Sequence, residues 1–167
     1  MKNKPVVIIS GDPKSTFNEI LIKTLKKIVL KKFKFPIIII CSKNLFQNEL
    51  KKFKTKLNFQ NFDYQDTLKS NNIYVFDIPL DYKNLSLNKK NIYIERSFEV
   101  GLNLVKENKS MALINGPISK TTFLKGKYKG ITEFLAFKTK SVNEVMLIFN
   151  KELSVSPIAT HVPINKV

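Results

Sequence analysis

One histidine, His161, stands in Ala159-Thr160-His161-Val162-Pro163-Ile164, with six residues after it. Imidazole is the commonest protein metal ligand and the usual acid or base near neutral pH. One such group does not complete a metal site, so its partners must come from upstream, from a second copy or from further polypeptide. The plain alternative is a strand-end histidine without a role. A second chemical group is Lys120, in Asn115-Gly116-Pro117-Ile118-Ser119-Lys120. There Gly116 allows close backbone approach and Pro117 fixes the turn. Lys120 would project from a rigid loop as a positive charge suited to a phosphate or a developing oxyanion. A third is Gly130-Ile131-Thr132-Glu133-Phe134-Leu135-Ala136, where Thr132 reads as a helix N-cap and Glu133 sits in a first turn that favours a carboxylate. A hydroxyl at such a corner also suits a substrate phosphate or hydroxyl. A fourth is Gly11-Asp12-Pro13-Lys14-Ser15-Thr16, in which Asp12 or Ser15 could cap a helix whose N-terminus attracts anions.

These segments need strands to hold them. Pro5 to Ser10 and Pro36 to Cys41 are short apolar runs rich in β-branched residues, ended by turn signals, and read as buried strands. Ile73 to Phe76 predicts a third strand and Met111 to Asn115 a fourth. Between them, Phe17, Leu21, Leu25, Ile28 and Val29 fall on one helical face, as do Leu45, Phe46, Leu50 and Phe53. Ile94, Phe98, Leu102 and Val105 mark a third helix. Asp77 to Asn91 has no period and reads as a connection. Apolar strands alternating with amphipathic helices predict an α/β fold with a mostly parallel sheet covered on both faces. Ligands of such sheets bind beyond the carboxyl ends of the strands, where the segments of Gly11 to Thr16, Asn115 to Lys120 and Gly130 to Ala136 are expected. Val145 to Phe149 and Leu153 to Ala159, joined by Asn150-Lys151-Glu152, predict a C-terminal β-hairpin.

Composition narrows the class. The 167 residues are 43% hydrophobic, enough for one domain with a real core. One cysteine, Cys41, excludes an internal disulfide framework and fits a reducing cytoplasm. The apolar runs are too short for a signal peptide or a membrane span. The formal charge of +16 raises nucleic acid as a partner. However, 28 lysines accompany a single arginine, Arg96, beside 17 asparagines. Base and phosphate recognition favours the arginine fork, so the lysines read as solvated faces from compositional drift. There is no Gly-x-Gly-x-x-Gly, no phosphate loop with a terminal lysine and no Cys-x-x-Cys.

Taken in order, the segments resemble the N-terminal half of the 4-hydroxythreonine-4-phosphate dehydrogenases of pyridoxal phosphate (vitamin B6) biosynthesis. Gly11-Asp12-Pro13 with Glu19-Ile20 resembles that family's Gly-Asp-Pro-Ala-Gly-Ile-Gly-Pro-Glu. Leu113 to Lys120 resembles its Thr-Gly-Pro-Ile-Asn-Lys segment. Gly130 to Ala136 resembles Gly-His-Thr-Glu-Phe-Leu-Ala, and Thr160 to Ile164 resembles Thr-His-Leu-Pro-Leu. The resemblance implies a fold like isocitrate and isopropylmalate dehydrogenases, of which residues 1–167 are the N-terminal portion. A first lobe would span 1–115 and the start of a second 116–167. It implies a homodimer with its site near the subunit interface. It also implies NAD-dependent, metal-assisted oxidation and decarboxylation of 4-hydroxythreonine 4-phosphate in the cytoplasm, with zinc, or magnesium or cobalt, held by three histidines. His161 matches the first metal histidine, Thr132 a substrate-binding threonine and Lys120 the family lysine. Such a metal would act as a Lewis acid on the alcohol. Two departures stand out. Ile131 replaces a substrate-binding histidine, and Lys14 to Asn18 replace a glycine-rich turn. With the remaining ligands and most of the NAD site in the family's other half, the chain is not expected to turn over by itself. A non-catalytic relative and a basic nucleic-acid-binding domain are the two alternatives.

Overall fold

The computed structural model describes residues 4–65, 67–107, 109–142, 144–158 and 165. The predicted metal ligand His161 lies outside them. The chain divides into two compact units, residues 1–119 and residues 120–167.

The first unit is a five-stranded sheet with helices on both faces. Its elements run β1 (Val6–Ile9), α1 (Phe17–Leu30), β2 (Ile37–Cys41), α2 (Lys43–Lys52), β3 (Gln60–Asn61), β4 (Ile73–Asp77), α3 (Leu87–Lys106) and β5 (Ala112–Asn115). The strand order is β3-β4-β2-β1-β5, and every pairing is parallel. Interior strand β1 sets Val6 opposite both Ile37 and Ala112. The near-continuous Val/Ile runs of β1 and β2 follow from this, since both faces of each strand are covered. Alternation along the strands sends Val6, Ile8, Ile37, Ile39, Ile73 and Val75 to one face. There they pack with Leu21, Ile22 and Leu25 of α1 and Phe46 and Leu50 of α2. Helix α3 packs on β1, β2 and β5 and buries Tyr93, Ile94, Phe98 and Leu102. Helices α1 and α2 also pack against each other on the first face, which leaves α3 to cover the second.

The predicted fold class is borne out, and local details differ for physical reasons. Helix α1 buries Asn18, Leu21, Ile22 and Leu25, a stripe rotated from the predicted one; Val29 is exposed. Helix α3 begins within the expected connection. Ser86 stops the loop by accepting the Lys89 N–H on its Oγ, and the polar turn after it hides the start from any apolar period. The short edge strand β3, Gln60-Asn61, is fully polar and exposed, so no pattern announces it.

The second unit holds a π-helical turn at Lys120–Leu124, helix α4 (Ile131–Thr139) and an antiparallel pair, β6 (Ile148–Phe149) and β7 (Ser154–Val155). The predicted hairpin is present with shorter strands, closed by Asn150 N–H donating to the Leu153 carbonyl at 3.0 Å. An aromatic cluster orders the unit. Phe123 and Tyr128 each stand edge-on to Phe134, with ring centroids 5.5 Å apart, and Leu124 is buried.

Candidate functional site

In the first unit the candidate region is the carboxyl edge of β1 and β5. The chain from β1 runs through α1 to β2 on one side, whereas β5 lies on the other. This reversal is the switch point at which open parallel sheets bind ligands. Two glycines let the loops meet there. A Cβ on Gly116 would fall 2.3 Å from the Ser10 carbonyl oxygen, and one on Gly11, at φ +73°, would fall 2.5 Å from that of Pro117. Gly116 N–H donates to the Ile9 carbonyl at 2.7 Å, and Asp12 N–H to the Pro117 carbonyl at 2.9 Å.

Asp12 does not cap α1 as the sequence suggested. Its Oδ1 accepts the Lys14 N–H at 2.9 Å, and its Oδ2 pairs with Lys90 Nζ at 2.8 Å. Both side chains are largely buried, unlike those of the other ion pairs formed by described residues. Lys90 sits in the first turn of α3, where a cation opposes the helix dipole; Asp12 offsets that cost. The α1 N-cap is Thr16, whose side chain makes no capping bond. Ser15 Oγ instead accepts the Phe17 N–H at 3.3 Å.

Behind this edge lies a buried hydroxyl network. Tyr93 Oη accepts the Ser42 N–H at 3.0 Å and hydrogen-bonds with Ser10 Oγ at 3.2 Å. Burial pushes the Tyr93 phenol well above its ordinary range, so it stays protonated and serves as a tie between β1, β2 and α3. The Cys41 thiol is likewise pushed up, first by burial and then by the Asp77 charge. A thiol that does not ionise is a poor nucleophile, so Cys41 is a core residue.

In the second unit Thr132 lies inside α4, and the N-cap is Gly130 in extended backbone. The expected capping role for Thr132 is therefore corrected. The reason is local: the Gly130 carbonyl already accepts the Phe134 N–H at 3.2 Å. Glu133 does occupy the first turn. Thr132 and Glu133 line a cleft of about 370 Å³ together with Glu144, Met146, Ser156 and Ile158. Ser156 Oγ holds the wall by donating to the Met146 carbonyl at 2.9 Å. Lys120 opens the π-helical turn rather than projecting from a loop, and it is exposed. It is not among the residues lining that cleft. No group of three His, Cys, Asp or Glu residues gathers among the described residues in a way that could hold a metal. Lys90 and Tyr93 were missed by sequence reasoning. Their partners lie 78 and up to 83 residues away, and no local pattern signals such pairing.

Comparison with known proteins is consistent with this architecture. Residues 32–167 match the family described as "Pyridoxal phosphate biosynthetic protein PdxA". The 4-hydroxythreonine-4-phosphate dehydrogenase of Sulfurihydrogenibium sp. (strain YO3AOP1) is 30% identical, across 97% of this chain and 51% of that enzyme. The Aquifex aeolicus enzyme of the same name is 25% identical, across 99% and 52%. The crystal structure of the 4-hydroxythreonine-4-phosphate dehydrogenase from Klebsiella pneumoniae superposes with a TM-score of 0.79 at 24% identity, over 98% of this chain and 53% of that one. A Burkholderia phymatum structure of that name gives 0.78 at 21%. The chain spans about half the length of the curated relatives it matches.

Proposed function

Since the chain belongs to the PdxA family of pyridoxal phosphate biosynthesis, we propose that it supplies the N-terminal half of a 4-hydroxythreonine-4-phosphate dehydrogenase. In this reading residues 1–115 form the first lobe and 116–167 begin the second. The reaction is oxidation of the substrate's secondary alcohol by NAD, followed by loss of CO2. The observation that carries the reading is the ordered set of family motifs, three of which fall on loops and helix starts: Gly11-Asp12-Pro13, Gly116-Pro117 through Lys120, and Thr132-Glu133.

The chain's own residues take binding and orienting roles. Thr132, in the first turn of α4 and on a cleft wall, offers a hydroxyl beside the positive helix end to the substrate phosphate or a hydroxyl. Lys120 presents an ammonium to developing negative charge. His161 is a candidate metal ligand. The described residues do not by themselves fit a metal or a dinucleotide, so both sites would need the family's second half. Ile131 cannot donate a hydrogen bond, which shifts more of the recognition onto Thr132. No helix among the described residues is long and apolar enough to cross a membrane, and we place the activity in the cytoplasm.

We also assign a homodimer. Leu147, Ile148, Phe149, Leu153 and Val155 are all exposed on a two-stranded hairpin, and such a hairpin is marginal unless something covers it.

Two measurements test the reading in the enzyme assembled from both halves. Thr132→Val should raise KM for the phosphorylated substrate about 10- to 100-fold, as expected for a hydrogen bond to a charged group worth roughly 1.5–3 kcal/mol. An unchanged KM removes Thr132 from the site. The same preparation should sediment as a dimer, and a monomer at working concentration would remove the second assignment.

A further inference from the structure

We propose that the amino end of the first unit's sheet binds single-stranded nucleic acid, at the opposite end from the β1 and β5 loops and independently of the dehydrogenase reading. The lysines that the sequence presents as scattered solvated faces are gathered there by the fold. Because β1, β2 and β4 are parallel, α1 and α2 both run back to the amino end and finish there, packed side by side. Exposed Lys27, Lys31, Lys32 and Lys34 lie at the end of α1 and just after it, and exposed Lys54 and Lys56 follow α2. None of these six is ion-paired among the described residues. Segments 20–48, 50–62 and 67–76, which build this end, contain no Asp or Glu. Each helix C-terminus contributes roughly −0.5 charge, so the six ammonium groups dominate the field.

The second observation is a cleft among these lysines. It measures about 510 Å³, within the roughly 300–1,000 Å³ of small-ligand sites. Val29, in the last turn of α1, and Lys56, beyond α2, both line it. Leu57 and Phe59, half-buried against the core, give it an apolar floor. Asn58, Gln60 and Asn72 add three amides to the lining, none of them hydrogen-bonded through its side chain to a described residue. Asn71 Oδ1 accepts the Phe33 N–H at 3.1 Å, which ties the Lys32-Phe33-Lys34 segment to the cleft wall.

These two features select the partner together. Charge alone would suit any polyanion, and the cleft alone any small polar ligand. An amide carries both donors and an acceptor, the complement of a base edge. A strand with one base turned into the cleft and its phosphates along the lysines uses both features. A duplex keeps its bases stacked inside and meets the lysines only. The scarcity of arginine counts against bidentate reading of base pairs, but not against lysines that track a backbone.

The test is fluorescence anisotropy of a labelled oligouridylate with the 167-residue chain, across a range of salt. Binding is expected to fall steeply with salt, and to be at least about 10-fold tighter than to a duplex of equal length or to uridine monophosphate. Lys34→Gln combined with Lys56→Gln should weaken it about 10-fold and flatten the logarithmic salt slope by about 1.4, at roughly 0.7 per lost phosphate contact. Lys83→Gln combined with Lys127→Gln removes the same charge elsewhere and should change neither. Asn58→Ala combined with Gln60→Ala should weaken binding about 10-fold, the worth of two hydrogen bonds, with the slope unchanged. All six positions are exposed, which keeps the fold intact in each variant. Absence of binding at low salt overturns the proposal. Equal binding of the duplex, of uridine monophosphate or of phosphatidylserine vesicles also overturns it, as does equal weakening by the two lysine pairs.

Discussion

Gly116→Ala is expected to destabilise the first unit by at least about 3 kcal/mol, placing it among the most damaging single substitutions. The new methyl would sit 2.3 Å from the Ser10 carbonyl oxygen and 2.7 Å from the Phe17 ring. Neither neighbour can yield cheaply. Ser10 N–H is bound to the Ile40 carbonyl at 3.1 Å, and Gly116 N–H to the Ile9 carbonyl at 2.7 Å. Moving one strand end therefore breaks a ladder bond of the other. Gly126→Ala is the matched control. It meets nothing within 4 Å, but its φ of +71° costs about 1–2 kcal/mol. Urea unfolding separates the two. Equal midpoints would mean that the β1 and β5 loops do not meet as described.

The second large effect concerns Lys120. In the enzyme assembled from both halves, Lys120→Ala should lower kcat/KM by about 10²–10³, the scale of losing one preorganised donor to developing charge. Its exposure means that stability should hold within about 0.5 kcal/mol. Lys120→Arg should recover part of the loss, since the charge returns on a different fork. A full rate for Lys120→Ala would make it one more solvated lysine.

Much of the fold was legible because it rests on short-range signals. The runs Val6 to Ile9 and Ile37 to Cys41 announce buried strands, and alternation with amphipathic helices announces a parallel sheet. The site was less legible. Gly116 was visible as a point of close backbone approach, but its contact with the loop after β1 depends on strand order. The Asp12–Lys90 pair joins residues 78 apart. Thr132 was misplaced by one role because the glycine before α4 takes the cap. The π-helical turn at Lys120 has no sequence period that distinguishes it from a loop.

NADH formation from 4-hydroxythreonine 4-phosphate is the direct test of a half-enzyme. It should be run on the 167-residue chain alone, on the chain joined to a polypeptide supplying the second half of the family's length, and on that assembly carrying His161→Ala. No turnover is expected of the chain alone, substrate-dependent NADH and bound divalent metal are expected of the assembly, and His161→Ala should abolish both. An assembly that folds yet neither reduces NAD nor holds metal, or one that His161→Ala leaves untouched, would contradict the half-enzyme reading.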